Sequence, residues 1–512
     1  MMWILVGVCA LLACAVGVRK QMHMFQLNTY LAGAQAKWLS KHRSSWVPQV
    51  VVAVIAAVGV AFPVVCGIIL VVWLLLAAWV ARPGKAHAKK PLVYTSRVIR
   101  MLVTISVLVA LVVAGTFFLP ASVRIVAAVV PYLLTPVWVI LANWVNSPIE
   151  AGVRRHYLGE AKRLLASHPR LVKIGITGSF GKTSVKFYLA TLLKGHFNVL
   201  MTPESYNTPM GITKTVRGEL RATHEVFVCE MGAEKVGDIK EDCDLVHPTI
   251  GVITAIGEQH LATFGSQANI LKTKLELADA VRGKGMLYLN GDNEILRDNQ
   301  PDQERQLYGL RTDNDTYAYD IQVTTSGTGF SLSHKGTLLT GLTTPLIGRH
   351  TIQNVAGAAA VALDLGVTES ELRAQLKKLA PAPHRLAMSR QSGVTIIDDA
   401  YNSNPAGAKA ALDTLALFDA TTILITPGMV QLGERQDALN EEFGAQAVGC
   451  DHVYLVGPKQ TEPIARGLLG AGFDPARLTV LDDVQDALAR AYALPAPGEK
   501  VILLENDLPD NY

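Results

Sequence analysis

The sequence predicts a helical membrane region of several spans followed by two α/β domains, and three observations carry that prediction. Apolar residues make up 50% of the 512-residue chain and charged residues only 18%, and the apolar excess sits in the first 150 positions. Residues 171–194 read as a buried strand, a glycine-rich turn and a helix. Beyond them, short apolar runs alternate with helical patterns, as in a mostly parallel sheet covered by helices.

The membrane region is read from length and charge. Apolar runs occupy 2–18, 48–81, 101–119 and 123–145. A span takes about 20 apolar residues, with roughly 17 as a lower limit. The second run is too long for one helix and carries Pro63, so it divides into 48–62 and 64–81. The count over residues 1–150 is then five, with four as the alternative. Basic residues cluster after the first run (Arg19, Lys20, Lys37, Lys41, Arg43), before residue 101 (Arg82, Lys85, Lys89, Lys90, Arg97, Arg100) and after the last run (Arg154, Arg155, Lys162, Arg163). Basic loops stay on the cytoplasmic side. Five spans therefore put the N-terminus outside and the large C-terminal region on the cytoplasmic face of the plasma membrane. The first run has no basic stretch before it, so it reads as an uncleaved span rather than a signal peptide. No ionisable residue lies mid-span, which argues against an ion path. The net charge of +4 suits basic membrane loops and does not call for nucleic acid. The six cysteines show neither a CxxC pair nor a metal-ligand spacing and read as reduced and structural.

The chemistry begins at LVKIGI (171–176), which runs into Thr177-Gly-Ser-Phe-Gly-Lys-Thr-Ser184 and then VKFYLATLLKG. Glycines let backbone N–H groups close around phosphate oxygens, and the helix N-terminus adds a favourable dipole. Gly178, Ser179, Gly181 and Ser184 would form this ATP-binding loop. Lys182 would meet the β/γ-phosphates and Thr183 would ligate Mg²⁺. Ile176 stands where the usual pattern begins with glycine. Glu230 ends the strand VFVCE and is placed to share Mg²⁺ with Thr183, although such a strand-end carboxylate, taken alone, is more often simply solvated. Lys274 lies on a helix predicted over 268–280. Its neighbours at three and four residues are Ile270, Leu271, Leu277 and Ala278, so it has no acid at pairing distance along the helix. Lys272 is the competing candidate. Asp398 and Asp399 are strand neighbours and point to opposite faces, so they do not form an acid/base pair.

TGSFGKTS resembles the phosphate loop of the Mur ligases and folylpolyglutamate synthases. SYNTPMGI (205–212), CEMGA (229–233), GEQHLATFGS (257–266), KTKLEL (272–277), LNGDN (289–293), GRHTIQN (348–354), APHR (382–385) and DDAYNSNP (398–405) resemble Mur-ligase blocks, in order, over about residues 165–440. The resemblance implies a P-loop central domain with a mostly parallel sheet (165–383) and a smaller Rossmann-like C-terminal domain (384–512). It implies an ADP-forming, ATP-dependent carboxylate–amine ligase of peptidoglycan-precursor synthesis. Such an enzyme activates a carboxylate as acyl phosphate for attack by an amino acid or dipeptide amine. The nearest branch adds D-alanyl-D-alanine to a UDP-muramoyl tripeptide. By the same resemblance Asn207 lies near the phosphates, and His260 helps hold a second Mg²⁺. Lys274 is carbamylated by CO₂ into an anionic metal ligand. Asn290, His350 and Asn354 cradle adenine, Arg385 reaches the nucleotide and Asp399 binds ribose.

Three departures accompany the likeness. Membrane spans stand where Mur ligases carry a soluble domain that grips the uridine nucleotide. This leaves a lipid-linked or polyglutamate-like acceptor as the alternative, with the bilayer as partner. The tandem Asn-Asn of the nearest branch reads Asn207-Thr208, and VILLEND (501–507) stands near where that branch has a Lys-Gly-Ser-type segment. A membrane scaffold with a degenerate nucleotide module is the alternative of another class. Lys182, Glu230, His260 and Lys274 are all retained against it.

Overall fold

The computed structural model describes residues 2–80, 91–257, 261–391, 393–401, 403–430, 432–458 and 460–507, leaving aside the side chains of Ser44, Leu261 and Ala262. They form two compact units that meet at residues 155 and 156.

The described elements of the first unit are helices: α1 Met2–Leu27, α2 Ala32–Lys41, α3 Val47–Val58, α4 Pro63–Val80, α5 Ser96–Thr116, α6 Arg124–Leu133 and the first part of α7 Thr135–Ala166, which runs on into the second unit. Pro63 opens α4, where its missing N–H costs nothing, and so produces the break expected in the second apolar run. Every expected apolar run is helical, but lengths differ. Among the described residues α1, α4 and α5 are long and apolar enough to cross a membrane. The pair α6 and α7, bent by 68°, would bring the number to four. Helix α3 has 12 residues and rises only about 18 Å, short of the ~30 Å hydrocarbon layer. Among the described residues, length and composition thus single out three candidate spans, or four with the bent pair, the latter being the expected alternative to five. Helix α7 is continuous from Thr135 to Ala166. Val6, Ala10, Val52, Leu70, Leu74 and Val129 build one core, and Met22, Phe25, Met101 and Trp138 another. Near the end of α1 the amide of Gln35 donates to Gln21 at 2.9 Å and accepts from Asn28 at 2.9 Å, so this buried polar trio satisfies itself.

The second unit carries two sheets. The larger contains β1 Val172–Thr177, β2 Val199–Met201, β3 Val226–Glu230, β4 Ile250–Ile253, β5 Leu287–Asn290, β6 Arg305–Gly309, β7 Thr316–Thr324, β8 Gly327–His334 and β9 Thr337–Thr344. Their order is β2-β3-β1-β4-β5-β6-β7-β8-β9. Pairing is parallel as far as β7 and antiparallel from β7 to β9, so an antiparallel meander extends the main sheet. Residues of β3 and β4 are buried throughout, which is why they read as unbroken apolar runs. Helices cover both faces, among them α8 Lys182–Leu193. Strand order reverses at β1, which lies between β3 and β4, so the loop leaving β1 opens into a crevice at the strand C-termini.

The smaller sheet holds β10 Ala387–Gln391, β11 Val394–Asp399, β12 Thr421–Thr426, β13 His452–Val456, β14 Leu478–Leu481 and β15 Lys500–Glu505. The order is β10-β11-β15-β12-β13-β14, with only β10 antiparallel. Sequence patterning missed β10, whose residues are mostly exposed and lack an apolar alternation.

Asp364 ties the meander to the helix Arg349–Asp364. Its carboxylate accepts from Tyr288 Oη at 2.7 Å and Gln306 Nε2 at 2.6 Å, and it pairs with Lys335 at 2.5 Å and His334 at 3.2 Å. Burial pushes the carboxyl up, but these four partners outweigh it and hold it well below the ordinary carboxylate range. A carboxyl whose folded pKa is depressed stabilises fully above its unfolded value, near 4, and loses that contribution as pH falls. Asp364→Ala is expected to cost about 2–3 kcal/mol at pH 7. The difference from wild type should shrink between pH 4 and pH 2 in thermal melts of the detergent-purified chain. A pH-independent difference would contradict this assignment.

Candidate active site

The loop between β1 and α8 is shaped by close backbone approach. Gly178 has φ 146°, and a Cβ there would lie 2.2 Å from Thr254 Oγ1. Gly181, at φ 81°, would place a Cβ 2.8 Å from Asn354 Oδ1. Both positions therefore require glycine. The Ser179 N–H donates to Ala255 O at 2.6 Å, while its hydroxyl meets the backbone of Gly257 at 3.1 Å. Thr254 Oγ1 donates to Phe180 O, which fixes the loop to β4. Lys182 folds back on the same loop and donates to Gly178 O at 2.7 Å and Ser179 O at 3.0 Å. Burial lowers this lysine to about 8; Glu230 opposes the shift and Arg385 adds to it.

Glu230 is 1% exposed and is a meeting point. Its Oε1 accepts from Thr183 Oγ1 at 3.2 Å and Asn207 Nδ2 at 3.1 Å. Its Oε2 faces Lys186 Nζ at 3.1 Å, and Lys186 is itself fully buried. Lys186 also donates to Glu204 O. Thr208 Oγ1 caps the next helix and Pro209 opens it, while the Asn207 carbonyl accepts from Gly232 N at 2.7 Å. Asn207 is thus fixed at both ends. Lys186 was missed from sequence because a helix lysine four residues past the P-loop lysine carries no signal of burial.

Other expected residues also converge. A cavity of about 450 Å³ is lined by the loop residues from Ser179 to Ser184, by Asn290, Asp292, His350 and Asn354, and from the smaller sheet's side by Arg385, Asp399 and Asn404. Asn290 is committed within the protein: its amide donates to Thr254 O at 2.8 Å and its oxygen accepts from Asp292 N at 3.0 Å. It shapes the turn beside the cavity. His350 is lowered to about 4 by burial and is neutral. Arg385 lies over the Tyr401 ring at 4.8 Å, between two residues in left-handed backbone, His384 at φ 56° and Leu386 at φ 48°. Asp399 Oδ1 accepts from Leu386 N at 3.1 Å, whereas Asp398 pairs with His384 at 2.7 Å. The neighbouring acids have separate tasks, as strand alternation requires.

Lys274 is 3% exposed and does not line the cavity. Burial, followed by the charge of Lys182, lowers it to about 7. Glu276 is engaged elsewhere, accepting from Gly237 N and Lys240 N at 2.8 Å each. His260 lies outside the described residues. Among those described, no group of three or more His, Cys, Asp or Glu side chains could hold a metal. The oxygen donors at Thr183 and Glu230 still fit Mg²⁺, which keeps several waters and takes few protein ligands.

A glycine loop at a sheet's switch point, with a lysine and an acid-paired threonine at the following helix, defines a P-loop nucleotide-binding protein with its cavity between two α/β sheets. Residues 176–362 match the Mur ligase middle domain, and residues 384–504 the Mur ligase glutamate ligase domain. The UDP-N-acetylmuramoyl-tripeptide–D-alanyl-D-alanine ligase of Bacillus subtilis (strain 168) is 30% identical over 334 residues, covering 64% of this chain and 72% of that protein. The enzyme of the same name from Escherichia coli (strain K12) is 31% identical, covering 57% and 66%. The MurF ligase of Thermotoga maritima in complex with ADP superposes with a TM-score of 0.61 at 25% identity, covering 69% of this chain and 80% of its own. MurF from Acinetobacter baumannii gives a TM-score of 0.62 at 24% identity, covering 70% and 78%, and shares the fold. The chain belongs to the Mur ligase family, whose members are ADP-forming carboxylate–amine ligases.

Lys186→Met would leave Glu230 as an unpaired buried charge, which costs about 3–5 kcal/mol. A large drop in melting temperature is expected, with no comparable drop for Lys182→Met, because Lys182 is half-buried and its hydrogen bonds among the described residues are to its own loop. Equal effects would contradict the assignment.

Proposed function

We propose that the chain is an ATP-dependent ligase of cell-envelope precursor synthesis, most like the enzymes that add D-alanyl-D-alanine to UDP-muramoyl tripeptide. The observation that carries this reading is the Thr183–Glu230–Asn207 cluster beside a P-loop, at the edge of a cavity that the second sheet completes. A carboxylate is a poor electrophile at neutral pH. Its oxygen attacks the γ-phosphorus of ATP, the bond to ADP breaks, and an acyl phosphate forms. The incoming amine then attacks the acyl carbon and phosphate leaves with the bonding pair. Both steps gather negative phosphate oxygens, so catalysis rests on cations and positioning rather than on a protein nucleophile. Lys182 exchanges its loop carbonyls for the β/γ-phosphates, and the backbone N–H groups of 178–184 close around them. Asn207 would hold the reacting carboxylate near the transferred phosphoryl group. Arg385 would meet the phosphates from the opposite wall, and Asp399 the ribose. Mg²⁺, held by Thr183 and Glu230, would neutralise charge on the phosphates.

The finer reading adds a second ion, with His260 and a carbamate on Lys274 among its ligands. Reaction with CO₂ needs a neutral amine, and a buried lysine near 7 supplies one at neutral pH. The long apolar helices α1, α4 and α5 support a plasma-membrane location with the ligase unit cytoplasmic. They also favour a second reading of the acceptor, a lipid-linked muropeptide presented at the bilayer surface.

ADP release by detergent-purified protein with Mg²⁺ and bicarbonate tests these readings. The acceptors are UDP-muramoyl tripeptide and its lipid-linked counterpart, each with D-alanyl-D-alanine or single amino acids, against Lys182→Ala. Release that requires D-alanyl-D-alanine and the UDP-linked acceptor is the expected result. Release with the lipid-linked acceptor alone would establish the second reading. No release above the variant for any pair would sink the ligase assignment. Depleting bicarbonate is expected to lower the rate, and unchanged rates would remove the carbamate.

A further inference from the structure

Asp399 and Glu505 are register partners on adjacent parallel strands, β11 and β15, so their side chains leave the same face of the sheet. Glu505 is 1% exposed, and the Ser403 hydroxyl donates to its Oε1. The other oxygen, Oε2, is buried without a hydrogen-bond partner among the described residues, on the sheet face that Glu505 shares with Asp399. Asp399 in turn lines the nucleotide cavity beside Arg385 and takes the Leu386 N–H at 3.1 Å. Two buried carboxyls side by side on one sheet face disfavour double ionisation, and a proton on one lets its orphan oxygen donate to the other. Burial pushes Glu505 well above the ordinary carboxylate range. Burial raises Asp399 as well, but Arg385 and the Leu386 N–H favour its charged form. The proton therefore resides on Glu505, and the pair presents a single negative charge to Arg385.

We propose that Glu505 is a positioning residue that works as a neutral carboxylic acid: its O–H donates to Asp399 and holds that carboxylate toward the ribose of the bound nucleotide. The inference rests on the ATP reading of the cavity. Glu505 lies in VILLEND (501–507), at the end of β15. The residue after it, Asn506, has φ 67°, the left-handed region that favours glycine and that asparagine tolerates. Its N–H reaches Asp399 O at 3.2 Å and its amide reaches Gly428 O at 2.6 Å, which locks the strand end that carries Glu505.

The test is ADP affinity by calorimetry on the full chain in detergent with Mg²⁺, together with KM for ATP and kcat. The proteins are wild type, Glu505→Leu and Glu505→Gln. Leucine removes the donor, and its ADP affinity is expected to fall about tenfold, the equivalent of one lost hydrogen bond to a charged group. KM for ATP should rise with it while kcat at saturating ATP changes little. Glutamine reproduces the protonated acid, with an NH₂ for Asp399 and an oxygen for Ser403, and should restore most of the affinity. Affinity as low for glutamine as for leucine would mean that an ionised carboxylate is required and would overturn the proposal. Wild-type affinity in the leucine variant would overturn it too. If the leucine variant does not fold, the glutamine variant decides alone, retention supporting the proposal and loss overturning it. Failure of the wild-type protein to bind ADP would remove the nucleotide reading itself, a result distinct from any difference between variants.

Discussion

A lysine and a glutamate with almost no access to water face each other between α8 and the end of β3, and the candidate chemistry is arranged around that pair. Glu230 would be costly to bury as a lone anion. Lys186 supplies the countercharge from inside, and the outward oxygen is left to Thr183 and Asn207. The pair binds together elements far apart in sequence: the helix after the phosphate loop, the central strand beside it, and the turn that carries Asn207. A carboxylate held from behind in this way would already be placed for nucleotide and Mg²⁺ under the proposed function, so little ordering would remain to be done on binding.

Topology explains why the cluster lies where it does. Strand β1 has neighbours that leave it in opposite directions, so the crevice at its C-terminal end is open to ligand. Two glycines let the backbone approach Thr254 and Asn354 more closely than any side chain would permit. The smaller sheet's side then contributes a guanidinium from Arg385 and a carboxylate from Asp399 at the far wall of one cavity. Because each wall holds part of the site, substrate binding and closure are expected to be coupled.

Much of this was legible in the residues. Thr177-Gly-Ser-Phe-Gly-Lys-Thr-Ser184 announced its strand, turn and helix, since glycine and the Lys-Thr pair have few other reasons to follow a buried strand. Strands β3, β4, β11, β12, β13 and β15 were visible as apolar runs because both faces of a parallel sheet are covered. The edge strand β10 was not, for it alternates nothing apolar. Lys186 and Glu505 escaped because burial of a charged side chain is decided by tertiary partners, which no local pattern records. The number of spans was read from hydropathy, which registers an apolar run but not where a helix ends. Val47–Val58 stops at 12 residues, and the last run breaks at Leu134 into two bent pieces.

The most direct measurement is Mn²⁺ binding, followed by electron paramagnetic resonance in the presence of ADP, for the wild-type chain and for Glu230→Gln. The amide keeps the shape of the side chain and removes the charge that the cluster exists to hold. Expected is loss of nucleotide-dependent Mn²⁺ binding in the variant at concentrations that saturate the wild type, with ADP alone still bound by the phosphate loop. Equal Mn²⁺ binding by the two proteins would contradict a metal site at Thr183 and Glu230, and with it the role given to the buried pair.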